Sequence, residues 1–147
     1  MSLEHHSISI HAPFKESNKK IKDPTFWLPF LPGFIQLTKI SDCSYLMNLF
    51  LSLGPITRET ALTFYFEPEK KDNEVHFTFF STNKHVTGLG ELIVSPQSNS
   101  NIELEVFLNI RLKGRKSLLL TPLLPSVKES WAKNILHEVK TSLENEQ

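Results

Sequence analysis

The 147 residues predict an α+β fold: a curved antiparallel sheet of about seven strands wrapped around one long C-terminal helix, with two short helices after the first strand. Three observations carry this. Residues 34–113 are a near-continuous series of apolar, β-rich runs whose connections are too short for crossover helices, so neighbouring strands must be antiparallel. The clearest run, 101–112, sets Ile102, Leu104, Val106, Leu108, Ile110 and Leu112 on one face against Glu103, Glu105, Asn109 and Arg111, one dry face and one wet. Past residue 126 the period changes: Val127, Trp131, Ile135, Val139 and Leu143 recur every four residues, with Lys128, Lys133 and Lys140 outside, as in an amphipathic helix.

Residues 3–11 read as the first strand, Ile8 and Ile10 alternating with Ser7, Ser9 and His11, and Pro13 ends it. Residues 14–22 then place Phe14, Ser17, Asn18 and Ile21 at helical spacing. Asp23-Pro24 supplies an N-cap and a proline at the first helical position for a second short helix over 24–30, which Pro32-Gly33 terminates. Strands are expected at 34–40, 45–53, 56–66, 74–81, 86–94 and 101–112. The stretch RKSLLLTPLLP, 115–125, reads as a loop or strand remnant closed by two prolines. Ser126 with Glu129 three residues on forms a capping box that would start the final helix.

A chain of this length forms one domain, 1–147, with one core. Sixteen basic residues balance sixteen acidic ones, which removes the long-range field that would gather a nucleic acid or steer the chain to an anionic membrane, and no nucleic acid is expected as a partner. Cys43 stands alone, so an internal disulfide and a Cys-rich zinc site are excluded and a cytoplasmic location fits. MSLEHHSISIHA lacks the basic flank and apolar run of a signal peptide, and no stretch approaches about 20 apolar residues, so neither a membrane span nor the common secretory route is expected.

The segment DPTFWLPFLPGF, 23–34, sets the functional question. A sheet of long strands must curl, and one helix is too thin to fill its concave face. The stiff, apolar segment is therefore expected to roof an unfilled cavity, of a size typical for ligand sites at roughly 300–1,000 Å³. Its candidate lining is Phe26, Trp27, Phe30 and Phe34 from the roof, Met47, Leu62, Phe64, Phe77 and Phe79 from the sheet, and Trp131, Ile135 and Val139 from the helix. The same residues would serve equally as ordinary core.

Arg58 is the most informative polar residue. It shares the phase of Ile56, Leu62, Phe64 and Phe66, so unbroken alternation points it at the hollow, where an unpaired guanidinium costs several kcal/mol. Three outcomes are open: a bulge after Gly54-Pro55 turns it outward, an acid such as Glu91 meets it, or it stands at the cavity mouth to anchor a carboxylate or phosphate. Asn48 and His76 raise the same question more weakly.

Asp23-Pro24, Leu31-Pro32-Gly33-Phe34, Ser41-Asp42, Tyr45 and Leu53-Gly54-Pro55-Ile56 together resemble the DP…PG…Y…VGP succession of proteins similar to the G-type subunit of carbon monoxide dehydrogenase. Those belong to the START-like, Bet v 1-like (SRPBCC) superfamily, and the chain is also similar to a small archaeal branch of it. The resemblance implies the helix-grip fold, with the element order derived above. The predicted cavity makes non-catalytic binding of a small hydrophobic or amphipathic molecule, lipid-like or aromatic, the expected function; the resemblance adds two alternatives, an accessory role recruiting a partner enzyme, and cyclase or hydratase chemistry, in which Arg58, Asn48, Tyr45 or His76 would converge on a carbonyl.

No catalytic, metal or cofactor motif accompanies it. His5, His6, His11, His76, His85 and His137 show neither HExxH nor an i, i+4 helical pair, and strand alternation sends His5 and His6 to opposite faces. There is no GxSxG and no CxxC. Gly88 and Gly90 lie inside a strand, where glycines mark a bulge, a bend or the close approach of another backbone.

Overall fold

The computed structural model describes residues 3–68 and 71–146. Seven strands form one antiparallel sheet: β1 (Glu4–Ile10), β2 (Phe34–Ser41), β3 (Ser44–Leu53), β4 (Ile56–Phe66), β5 (Glu74–Ser81), β6 (Val86–Ser98) and β7 (Asn101–Leu112). Their order is β1-β7-β6-β5-β4-β3-β2, a six-strand meander with the first strand added at the far edge of the last. Helices α1 (Phe14–Ile21) and α2 (Pro24–Trp27), continued by a 3-10 turn at Leu28–Phe30, follow β1. The Asp23 carboxylate accepts the Thr25 N–H at 3.0 Å, the cap expected there, with Pro24 at the first helical position. This is the α+β helix-grip architecture the sequence predicts.

The end of the chain departs from expectation. Residues 115–125 are not a loop or strand remnant, because Ser117–Leu120 is a helical turn, α3, followed by a 3-10 turn at Thr121–Leu123. The long helix α4 is Leu124–Asn145 and begins before Ser126, so no capping box starts it. The physical reason is local. The chain is already wound when it reaches Leu124, and Pro125 sits in the first turn, where its missing N–H has no intrahelical partner to lose. Twenty-two residues make α4 about 33 Å long.

The concave face is covered in two halves. Helix α4 packs chiefly across β1 and β7, burying Trp131, Ile135, Leu136, Val139 and Leu143. The α1–α2 segment covers the remainder. Trp27 is wholly buried, donates its indole N–H to the Ile21 carbonyl at 2.9 Å, and packs its ring 5.4 Å from Phe77 and 5.9 Å from Phe66. Asn134 of α4 donates to the Phe30 carbonyl at 2.7 Å and ties this segment to the helix. No helix among the described residues is long and apolar enough to cross a membrane.

Candidate functional site

The proline-rich segment fills the hollow from within. Trp27 and Leu28 are fully buried and Leu31 nearly so, while Phe26, Phe30 and Phe34 are half-buried and pack against the core. Beneath them Phe64 stacks on Phe79 at 5.0 Å, and Phe79 meets Trp131 at 5.8 Å. Met47, Leu62, Phe77, Ile135 and Val139 are buried in the same cluster. Nine of the thirteen sequence candidates thus come together in the buried core, Phe26, Phe30 and Phe34 pack against it half-buried, and Arg58 stands apart from them.

An opening lies at the other end of β4. Residues 62–66 of β4 pair with β5, from Leu62 opposite Ser81 to Phe66 opposite Phe77. Strand β5 stops at Ser81, so residues 56–61 have β3 on one side and no strand on the other. An eleven-residue strand beside an eight-residue one leaves a two-stranded ribbon projecting past the sheet. Between this ribbon, the β5–β6 turn and the β7–α3 connection is a cleft of about 810 Å³. Arg58 and Phe66 are eight residues apart on β4, about 26 Å of extended strand, so Arg58 stands at the opposite end of the strand from the contact between Phe66 and Trp27.

The cleft is apolar inside and basic at its rim. Leu51, Leu53 and Val86, together with Leu112 and Leu120, supply the apolar wall, and Arg58, Lys113, Arg115 and Lys116 supply the cations. The acid among its lining residues, Glu59, belongs to the opposite phase of β4 and is turned to the outer face, across from Phe50. The β3–β4 register is unbroken from Leu53 opposite Ile56 to Ser44 opposite Tyr65. No bulge therefore turns Arg58 away, and it stays on the inward phase opposite Leu51. Glu91 is not its partner, since it lies on the outer face with a carboxylate oxygen 3.8 Å from His76 Nδ1. Arg58 is exposed, and no acidic group of the described residues pairs with its guanidinium. Exposure removes the burial cost that alternation implied.

The rim is held by local hydrogen bonds. The buried Ser81 hydroxyl donates to Asn83 Oδ1 at 2.8 Å and accepts the Val86 N–H at 3.0 Å, and Asn83 Oδ1 also accepts the His85 N–H at 3.0 Å. Across the cleft floor, the Lys113 N–H donates to the His85 carbonyl at 2.7 Å. Gly114 then adopts a φ of +108°, open to glycine but strained for other residues, and turns the chain from β7 into α3. A smaller cleft of about 290 Å³ lies between Gly33, Phe50, Leu123 and Trp131, where the proline-rich segment and α4 border an opening together.

The other polar candidates do not converge. Asn48 and His76 lie on the outer face, in the opposite phase to buried Met47 and Phe77, and His76 is bonded to Glu74 at 2.9 Å. Tyr45 is buried near Phe66, at the plugged end. Among the described residues no three His, Cys, Asp or Glu side chains gather to hold a metal ion.

No family model and no curated protein matches the sequence. Solved structures match closely in shape. A conserved protein from Geobacillus kaustophilus superposes with a TM-score of 0.82 at 13% identity, covering 98% of this chain and 96% of that one. A START superfamily protein from Mycobacterium smegmatis gives 0.63 at 13% identity, covering 95% and 98%. The aromatase/cyclase Zhui from a Streptomyces species gives 0.64 at 10% identity, covering 94% and 93%. The chain has the START-like, helix-grip fold.

Proposed function

We propose that this chain is a non-catalytic binding protein for a small amphipathic molecule, with an apolar body held in the cleft at the open end of β4 and an anionic head on Arg58. The observation that carries the reading is the combination of an apolar interior of about 810 Å³ and a rim guanidinium that has no acidic partner among the described residues. The volume falls within the range of small-molecule sites, and a guanidinium fork matches carboxylate or phosphate geometry. The resemblance and the fold neighbours support a ligand-binding role. Arg58, Asn48, Tyr45 and His76 stand apart, so the convergence that carbonyl chemistry requires is not formed by these four. The exposed thiol of Cys43 fits a reducing cytoplasm.

A second reading, an accessory factor for a partner enzyme, is favoured by the outer sheet face. There Tyr65 stacks on Phe80 at 5.8 Å beside the exposed Leu89. Co-purification of a partner that Tyr65→Ser abolishes would support it.

The test of the first reading compares a medium-chain fatty acid with the alcohol of equal length. The acid is expected to raise the melting temperature with increasing concentration. Arg58→Gln should weaken the acid by about tenfold or more while leaving the alcohol unchanged, because the charged hydrogen bond is what it removes. No shift with any member of a broad lipid panel, or an acid preference that survives Arg58→Gln, would sink the proposal.

A further inference from the structure

The charges of this neutral chain are segregated. Residues 106–128 contain five cations, Arg111, Lys113, Arg115, Lys116 and Lys128, and no acid. In the middle of this stretch α3 carries the two most exposed large apolar side chains of the described residues, Leu118 at 88% and Leu119 at 78%. Adjacent leucines almost free of protein contact, directly after Arg115-Lys116, are costly to leave in water and have no intramolecular purpose, since Leu120 alone of the trio turns inward to line the cleft.

Much of the backbone that presents them is bonded within the turn itself. Ser117 N–H donates to the Gly114 carbonyl at 3.1 Å, Leu120 N–H to the Lys116 carbonyl at 3.0 Å, and the Thr121 hydroxyl to the Ser117 carbonyl at 2.6 Å. Such a turn can enter a medium poorer in water without stranding these groups. Ile56, at the tip of the β3–β4 ribbon, is also exposed and borders the same cleft.

We infer that the α3 turn is a docking knob for an anionic lipid bilayer: Leu118 and Leu119 enter the headgroup–acyl boundary while Lys113, Arg115 and Lys116 lie against the lipid phosphates. Charge complementarity selects this partner. An apolar tip within a one-sign basic collar matches an apolar layer beneath a negative surface, and each lysine or arginine at such a surface strengthens binding by about fivefold. The docked orientation turns the mouth of the cleft towards the membrane. Docking does not depend on the cleft accepting a ligand, so it and the proposed function can fail separately.

The test is sedimentation of the full chain with phosphatidylcholine vesicles, with and without phosphatidylglycerol. Binding is expected only to the anionic vesicles and should fall steeply with salt, as surface charge is screened. Leu118→Ser with Leu119→Ser, and separately Arg115→Gln with Lys116→Gln, should each weaken it by about tenfold or more. All four positions are exposed, so the variants should keep the parent melting temperature. As a direct reading of insertion, tryptophan emission from Leu119→Trp should shift to the blue on anionic vesicles alone. Absence of binding at low salt, equal binding to neutral vesicles, or binding untouched by both double variants would overturn the inference. So would a dimer in solution that the double serine variant abolishes, since the leucines would then have a protein partner.

Discussion

Two glycines show how closely single residues set this interior. Gly88 lies opposite Phe79 and Gly90 opposite Phe77 in the β5–β6 register, and both phenylalanine rings lie across the bare backbone. A Cβ at Gly88 would stand 2.2 Å from the Phe79 ring and 2.6 Å from the Asn109 carbonyl oxygen. Gly88→Ala is therefore expected to lower stability by about 1–3 kcal/mol, as overpacking does, seen as a lower urea midpoint at an unchanged slope. A variant as stable as the parent would mean that Phe79 has room to move. The sequence suggests a bulge, a bend or a close backbone at these glycines, and the structure shows a close β7 carbonyl at each together with an aromatic ring that the sequence does not indicate. Cross-strand neighbours depend on register, which no single strand encodes. Arg58 is more legible. Its inward phase follows from alternation, and the lengths of β4 and β5 are readable too, but the open side of the ribbon requires knowing that Leu62, not Ile56, faces Ser81.

At the scale of elements, the proline-rich segment is legible as structure and misleading as architecture. The capped Pro24–Trp27 helix and its 3-10 continuation lie where the residues place them. A roof and a plug share the same composition, however, and the difference rests on how far Trp27 reaches inward. As a plug, Trp27→Ala should cost about 3–5 kcal/mol, and Asp23→Ala, which removes only the cap, about 1 kcal/mol. Equal small effects in equilibrium unfolding would indicate a loosely seated segment. A second tie joins the ends of β1 and α4. Glu144 accepts the His11 N–H at 2.9 Å and the Lys140 ammonium at 2.6 Å, while Lys140 also reaches the Ser9 carbonyl at 3.1 Å. The His11 N–H foremost, and then Lys140, hold the Glu144 carboxyl below the usual carboxylate range. Because the folded value lies below the unfolded one, this contribution is present above about pH 4.5 and is lost as the pH falls through the folded value. Glu144→Gln should accordingly flatten the acid limb of stability against pH, and an unchanged limb would show that the contact contributes nothing.

At the scale of the whole molecule, averages hide what geometry separates. Net charge zero argues against attraction to anionic surfaces, yet Lys113, Arg115 and Lys116 share one end of the fold with the cleft mouth and the exposed leucines. Helix-grip closure has a kinetic consequence as well. Strands β2 to β7 pair with their sequence neighbours, whereas Ile10 must find Ile102 and Glu4 must find Leu108, closing a loop of about ninety residues around the finished meander. That entropy is best spent after the meander exists, so β1 should dock late, after the folding transition state. Ile10 is buried against β7 and the core, and Ile10→Ala should cost about 2–5 kcal/mol. Late docking places nearly all of that loss in faster unfolding, with the folding rate almost unchanged. Both arms of a denaturant chevron measure this directly. If the folding arm drops by most of the equilibrium loss, the N-terminal strand belongs to the nucleus, and the meander does not form ahead of its closure.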